Sequence, residues 1–149
     1  MPSVKTVLVL GAGLGSIVYV FRKKGYQPQF TLIEKDKVVL RTAMELFEMA
    51  VPQPNIVPVC MDAQAHMAHN TTRYDLVFLD VFNGREVPAF VTTQEFLSQC
   101  RDAVADGGHL AFNYMINNSL EWVRVKKNFS AVFPGYKEID LGINRVLVV

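Results

Sequence analysis

Short apolar runs alternate with longer segments of helical periodicity along most of the chain. The first run, residues 6–10, is apolar on both faces, as a strand in the centre of a parallel sheet is. The predicted strands are residues 6–10, 30–33, 56–60, 75–80 and 109–113, and the predicted helices are residues 16–24, 37–49, 93–104 and 119–131. This alternation predicts parallel βαβ units and therefore an α/β fold.

The end of the chain follows a different pattern. Residues 136–141 and 145–149 are both strand-like, and the connection at 142–144 is too short for a helix. Such a connection predicts an antiparallel hairpin. The whole pattern therefore predicts a seven-stranded, mostly parallel, Rossmann-like sheet that ends in a C-terminal antiparallel hairpin.

Smaller signals refine these elements. Pro58 offers no backbone donor, which places the third strand at a sheet edge. Thr92, with Glu95 three residues later, has the spacing of a capping box for the fourth helix. Asp106, Gly107 and Gly108 predict a tight turn into the fifth strand.

Length, composition and charge limit the function classes. The 149 residues suit one domain over 1–149, and a net charge of +1 does not favour binding to nucleic acid. No run approaches the roughly 20 apolar residues of a membrane span, and no signal-peptide pattern opens the chain. Cys60 and Cys100 lie in or beside apolar runs, so we expect buried free thiols and a cytoplasmic location.

A glycine run and an acidic residue follow the first two strands. Gly11, Gly13 and Gly15 form G-x-G-x-G, whereas a dinucleotide fingerprint is G-x-G-x-x-G and would need glycine where Ser16 stands. The glycine spacing is that of loops for nucleosides that carry a sulfonium group, although a tight strand-to-helix turn is an alternative. Glu34 could accept both ribose hydroxyls, and a solvated loop acid is the alternative.

Two further acids follow the third and fourth strands. Asp62, with Ala63, could accept from the exocyclic amine of an adenine, or it could cap a helix over 63–69. Asp80 ends an apolar strand, where an acid is costly unless it is paired or functional. Because ligands bind beyond the carboxyl ends of parallel strands, Asp80 is a candidate catalytic residue beside the glycine run. Asp75 lies at the opposite edge as a surface turn residue.

These strand ends resemble the spermidine synthase family, a branch of the class I S-adenosylmethionine-dependent methyltransferases. The resemblance covers nearly the whole chain and rests on residues 7–15 (VLVLGAGLG), 32–36 (LIEKD), 62–63 (DA) and 74–84 (YDLVFLDVFNG), with further likeness over 87–97 and 107–113. It implies the class I methyltransferase fold and a transferase that uses S-adenosylmethionine or its decarboxylated form. The implied acceptor is a small molecule such as an amine, with Asp80 as the base that deprotonates it.

Departures from the family pattern keep a second function open. The family usually has acids where this chain has Leu14 and Asn83, and it has an N-terminal β-rich segment that we expect to be absent here. A non-catalytic nucleoside-binding or assembly module is therefore the alternative, and an NAD-dependent oxidoreductase is less favoured. His66 and His69 have no Cys, Asp or Glu cluster to complete a metal site, so we expect no metal. The oligomeric state, a homodimer included, stays open.

Overall fold

The computed structural model describes residues 4–50 and 55–149, in which strands and helices alternate as far as the fifth helix. The strands are β1 (Thr6–Leu10), β2 (Gln29–Glu34), β3 (Ile56–Cys60), β4 (Tyr74–Leu79), β5 (Val104–Met115), β6 (Lys137–Leu141) and β7 (Asn144–Val148). The α-helices are α1 (Ser16–Lys23), α2 (Lys37–Ala50), α3 (Ala63–His69), α4 (Gln94–Asp102) and α5 (Ser119–Val132), and a 3₁₀ helix spans Ala89–Thr92.

All seven strands form one sheet in the order β3-β2-β1-β4-β5-β7-β6. The pairs among β1 to β5 are parallel, whereas β7 is antiparallel to both β5 and β6. The structure confirms the α/β fold, the mostly parallel sheet and the C-terminal hairpin. It adds that the reversed strand β7 lies inside the sheet, so that β6 is an edge strand.

The centre of the sheet is buried on both faces. Leu8 and Leu10 of β1 pack with the side of the sheet that carries α3, α4 and α5. Val7 and Val9 of the same strand pack with α1 and α2 on the other side. This two-sided burial is what the apolar character of residues 6–10 predicts.

The edge strand β3 explains one confirmed prediction and one error. Pro58 lies in β3, which pairs only with β2, so its missing N–H leaves no gap in the sheet. Cys60 ends the same strand and is exposed, so the prediction that both cysteines are buried is wrong for Cys60. Cys100 in α4 is fully buried, and that burial raises the pKa of its thiol.

The prediction that Thr92 caps α4 is wrong by one residue. Thr93 is the N-cap, and its Oγ1 accepts a 3.3 Å hydrogen bond from the Phe96 N–H. Thr92 ends the 3₁₀ helix, is buried, and donates its hydroxyl to the Ala89 carbonyl over 3.1 Å. Because the 3₁₀ helix includes Thr92, the cap of α4 lies one residue later, at Thr93.

The predicted turn at 106–108 is a bulge within a longer strand. β5 begins at Val104, which pairs with Tyr74, and the register shifts before His109 pairs with Leu76. Gly107 has a φ of 75° in this irregular segment. Among the helices that the structure describes, none is both long and apolar enough to cross a membrane.

Candidate functional site

The carboxyl ends of β1, β2 and β4 lie level with one another. Leu10 pairs with Ile33 on one side and with Leu79 on the other, so the residues that follow these strands meet at one edge. The Gly11 and Ala12 N–H groups then donate to the Ile33 carbonyl at 3.0 and 3.1 Å. The segment Gly11–Gly15, called here the glycine loop, is thereby fixed against β2.

Gly11 is required by the close approach of two strand ends. Its φ is 83°, and a Cβ atom at this position would overlap the backbone of Asp80. The Asp80 N–H in turn donates to the Leu10 carbonyl over 2.9 Å. Any larger residue at position 11 would therefore push the end of β4 away from β1.

Glu34 connects the end of β2 to the glycine loop. Its Oε2 accepts a 3.0 Å hydrogen bond from the Gly13 N–H, and its Oε1 accepts one of 3.0 Å from the Asp36 N–H. An ionised carboxylate has about four acceptor sites on its two oxygens, so each oxygen can still accept a hydroxyl. Glu34 can thus hold the loop and a diol together.

Gly15 has a packing role that the sequence did not indicate. It is the N-cap residue of α1 with a φ of 74°, and a Cβ there would overlap the ring of Phe47 in α2. Gly15 is not among the residues that line the cavity at this edge, whereas Gly11 and Gly13 are. The structure therefore places Gly15 against α2, outside the lining of this cavity.

Asp62 takes the cap position that was one of its two predicted roles. Its Oδ1 accepts from the Gln64 and Ala65 N–H groups at 2.8 and 3.2 Å, at the start of α3. Both of these hydrogen bonds use Oδ1, so the second oxygen remains available to an incoming donor such as an adenine amine. Capping fixes the carboxylate beside Ala63, which is buried, and the two roles are compatible.

Asp80 follows β4 and is half-buried. Burial raises the pKa of its carboxyl, and a 2.8 Å hydrogen bond from Asn113 Nδ2 to Oδ1 opposes that shift. A carboxyl with a raised pKa binds a proton more tightly than an ordinary aspartate does. The raised pKa therefore makes ionised Asp80 a stronger base than an ordinary aspartate.

One cavity of about 270 Å³ collects these residues at the carboxyl edge. Its lining includes every predicted site residue except Gly15, namely Gly11, Gly13, Glu34, Asp62, Ala63 and Asp80. Apolar side chains that follow β4 complete it: Val81, Phe82, Pro88 and Phe90. The sequence analysis missed these four residues because a loop without periodicity does not show which of its side chains turn inward.

A second cavity of about 150 Å³ adjoins the first on the α1 side of the sheet. Gly11, Ala12, Ser16 and Asp80 line both cavities. Asp80 is the one charged side chain of the second cavity, whose other walls are Val9, Ile17, Val20 and Phe78. Asp80 thus borders both the larger cavity, which has polar and apolar walls, and the smaller one, whose walls are mainly apolar.

The two positions that depart from the family pattern lie in exposed surroundings. Leu14 is 58% exposed at the rim of the larger cavity, and Asn83 is exposed in the loop after β4. Neither supplies a negative charge near Asp80. Within 4–50 and 55–149, no three His, Cys, Asp or Glu side chains are placed to hold a metal ion.

Similarity to known proteins agrees with this geometry. No protein-family model matches the chain. It is 30% identical over 133 residues to an N-terminal histidine N-methyltransferase of Emericella nidulans, covering 85% of this chain and 23% of that protein. It is 26% identical over 122 residues to a polyamine aminopropyltransferase of Vibrio vulnificus, covering 80% of this chain and 40% of that protein. The chain therefore spans less than half the length of these curated relatives.

Solved structures show the same architecture. A probable spermidine synthase from Corynebacterium glutamicum superposes with a TM-score of 0.83 at 24% identity, over 97% of this chain and 55% of that one. Human methyltransferase-like protein 13 in complex with SAH superposes with a TM-score of 0.81 at 18% identity, over 97% of this chain and 70% of that one. The chain has a spermidine synthase-like class I methyltransferase fold.

This class I methyltransferase fold accounts for the arrangement of the site. In open α/β sheets, ligands bind outside the carboxyl ends of the strands, where the strand order changes direction. Here that point lies between β1 and β4, and the larger cavity opens above it. The similar proteins include methyltransferases and enzymes named for polyamine aminopropyl transfer or spermidine synthesis. The similarity therefore does not show whether a methyl or an aminopropyl group is transferred.

Proposed function

We propose that the protein is a transferase that uses an S-adenosylmethionine-type nucleoside and transfers an alkyl group to a small acceptor. The observation that carries this proposal is the single cavity that joins the glycine loop, Glu34, Asp62 and Asp80. Each of these residues ends or follows a different strand, and each offers a hydrogen-bonding group. The relatives named as methyltransferases and aminopropyltransferases support the same class of reaction.

The binding half of the proposal assigns one contact to each residue. Gly11 and Gly13 let the backbone lie close to the nucleoside, and Glu34 accepts from the ribose hydroxyls with the lone pairs that Gly13 and Asp36 leave free. Asp62 accepts from the adenine amine through Oδ2, next to the small side chain of Ala63. Gly15 contributes indirectly, because it lets Phe47 pack beneath the loop.

The chemical half of the proposal assigns the proton transfer to Asp80. When bound, the nucleoside supplies an electrophilic carbon on its sulfonium sulfur, and an acceptor nitrogen that bonds to this carbon displaces a neutral thioether. Asp80 accepts the proton that the acceptor nitrogen loses, which frees the lone pair for the new bond. Its place at the junction of the two cavities suits this role, and its raised pKa strengthens it as a base.

The second candidate is a nucleoside-binding or assembly module without catalytic activity. Leu14 and Asn83 favour it, because both stand where the resembled family has acids that would attract a cationic acceptor. In that case the cavity would still bind the nucleoside, and Asp80 would have no acceptor to deprotonate. Binding measurements alone would not separate this candidate from the transferase, so turnover must be measured as well.

The binding experiment is calorimetric titration with S-adenosylmethionine, its decarboxylated form, methylthioadenosine and NAD. We expect the three sulfur nucleosides to bind and NAD to bind much more weakly, because the loop lacks the third glycine of a dinucleotide fingerprint. Preference for NAD would contradict the proposal.

The turnover experiment follows label from each sulfonium nucleoside into diamines, other amines and small hydroxyl compounds. Tight binding without any labelled product would favour the non-catalytic module.

A further inference from the structure

Three polar side chains form a series of hydrogen bonds that begins at Asp80 and ends on the C-terminal hairpin. Asn113 Nδ2 donates to Asp80 Oδ1 over 2.8 Å, and Asn144 Nδ2 donates to Asn113 Oδ1 over 3.1 Å. All three residues are half-buried. The series spans β4, β5 and β7, which are neighbours in the sheet.

Strand register brings these side chains to the same face. Leu79 pairs with Phe112 in the parallel ladder, so the next residues, Asp80 and Asn113, lie side by side. In the antiparallel ladder, Asn113 is opposite Val146 and Asn144 is opposite Met115. Asn113 and Asn144 are therefore diagonal neighbours on one face of the sheet, a distance that polar side chains can bridge.

The direction of each hydrogen bond follows from the carboxylate. An ionised aspartate can only accept, so Asn113 must present its amide nitrogen to Asp80. The amide oxygen of Asn113 then faces Asn144, which must donate. The hydrogen bond from Asn144 thereby stabilises the amide orientation of Asn113 that can hold the ionised form of Asp80.

We infer that Asn113 and Asn144 are positioning residues for Asp80, with Asn113 holding Oδ1 and Asn144 fixing the orientation of Asn113. Among the residues that the structure describes, no hydrogen bond reaches Asp80 Oδ2, so this oxygen is more available than Oδ1 to take the proton from the acceptor nitrogen. The inference rests on the proposed role of Asp80 as the base. It goes beyond that role by assigning the C-terminal hairpin a part in the site.

The two asparagines are uncharged contacts in a region that also holds charged groups. Glu34, Lys35 and Asp62 line the same cavity as Asp80. On the hairpin, Arg145 next to Asn144 is paired with Glu138 and Asp140. Replacing either asparagine by leucine removes a hydrogen bond without changing any charge, so the titration of Asp80 reports on the hydrogen bond itself.

The test is an NMR titration of the Asp80 carboxyl carbon in the whole chain. The variants are Asn113→Leu, Asn144→Leu and the double variant, with Asn113→Ala and Asn144→Ala as a second pair if a leucine variant does not fold. Asn128→Leu is the matched control, because Asn128 is a half-buried asparagine whose Nδ2 donates to the Thr92 carbonyl over 3.0 Å, away from Asp80. The same variants are assayed for the pH dependence of transfer.

We expect Asn113→Leu to raise the pKa of Asp80, because a hydrogen bond to the charged form is lost. Asn144→Leu should raise it by less, and should have no further effect once Asn113 is leucine. The pH at which transfer is lost in acid should rise by the same amount as the pKa of Asp80. At higher pH, where Asp80 is ionised, the transfer rate should fall roughly tenfold in Asn113→Leu, because Asn113 no longer holds Oδ1. Asn128→Leu should leave both measurements unchanged.

Two results would overturn the inference. One is an Asp80 titration that Asn113→Leu does not move. The other is an Asn144→Leu effect that is equally large with and without Asn113, because Asn144 would then act on Asp80 by another route. Failure of the proposed function looks different: the titrations would follow the expected pattern while the wild-type protein transferred no alkyl group to any acceptor.

Discussion

Two aspartates at opposite ends of β4 have opposite surroundings. Asp75, at the start of the strand, accepts three hydrogen bonds on Oδ2: from the Lys5 N–H at 2.7 Å, the Thr6 N–H at 3.0 Å and the Thr6 hydroxyl at 3.2 Å. These contacts, led by the backbone of Lys5, lower the pKa of its carboxyl. Among the described residues, the Asp80 side chain has one hydrogen-bond partner, Asn113, and burial raises the pKa of its carboxyl.

The difference separates a structural carboxylate from the one that we propose as the base. Asp75 accepts three hydrogen bonds on Oδ2 from Lys5 and Thr6, at the start of β1, and these stabilise its charge. Asp80 accepts a single side-chain hydrogen bond from the described residues, and it lines two cavities. At the amino edge of the sheet an aspartate thus joins two strands, whereas at the carboxyl edge an aspartate is the proposed proton acceptor. The two ends can be tested with matched substitutions.

The largest expected effect is on the rate of transfer in Asp80→Asn. Asparagine keeps the size of the side chain and removes the base, so we expect transfer to slow by about 10²–10⁴-fold. Nucleoside affinity should change little, because the nucleoside contacts lie elsewhere in the cavity. The assay is label transfer at saturating nucleoside, and Asp75→Asn is the control, which should transfer at the wild-type rate per folded molecule. Equal turnover in Asp80→Asn and wild type would remove Asp80 as the base.

The next effect concerns nucleoside affinity in Glu34→Ala. Loss of the ribose contacts and of the support for Gly13 should weaken binding by about 1.5–3 kcal/mol, the range for hydrogen bonds to a charged group. Calorimetric titration with methylthioadenosine measures this, and Glu45→Ala is the control, since Glu45 forms only an exposed pair with Arg41 on α2. Unchanged affinity in Glu34→Ala would show that the ribose binds elsewhere.

Asp75→Asn should affect stability and not chemistry. The variant keeps an acceptor oxygen but loses the charge, so we expect the free energy of unfolding to fall at neutral pH by about 1 kcal/mol, since solvent screens this carboxylate. Because the native pKa is lowered, this stabilisation is complete above the unfolded pKa of about 3.9 and is lost as the pH falls through the native pKa. Urea unfolding from pH 7 downwards should therefore show the two proteins converging in acid. A constant difference at every pH would contradict this origin.

The smallest expected effect is on the stability of Asp80→Asn, and its sign is opposite to that expected for Asp75→Asn. A raised native pKa means that the ionised carboxylate costs the folded protein free energy above that pKa. Asp80→Asn should therefore be slightly more stable than wild type at neutral pH, by less than about 1 kcal/mol for a half-buried group, and equal to it below the unfolded pKa. The same urea series measures this. A variant less stable than wild type at pH 7 would show that the Asn113 contact outweighs burial.

Local pattern was sufficient to predict most of the fold. The hairpin followed from a connection at 142–144 that cannot hold a helix, and the edge position of β3 followed from Pro58. The insertion of β7 between β5 and β6 did not follow, because hairpin length sets the pairing of two strands and not which of them meets the rest of the sheet. The cap at Thr93 was missed for a similar reason: the 3₁₀ turn before it has no periodic signal.

The site residues that directly follow strands could be predicted from the sequence. Glu34, Asp62 and Asp80 each follow a strand, and parallel strands end at one edge, so their meeting could be anticipated. Asn113 and Asn144 could not be found in that way. Their contact depends on the register between β5 and β7, whose paired residues are about thirty positions apart in the chain. The contact between Gly15 and Phe47 could not be anticipated either, because it is equally non-local.

The reversed strand also sets an order in which the sheet can come apart. All five residues of β6 are exposed, and β7 is its one neighbour in the sheet. Leu147 of β7 is fully buried, so β7 is held by the core while β6 is held by β7 alone. In hydrogen exchange, the amides of β6 should therefore exchange faster than those β7 amides that donate to β5, because β6 can open without breaking the pairing of β7 with β5. The hairpin can open at its outer strand while the strand that carries Asn144 remains in place.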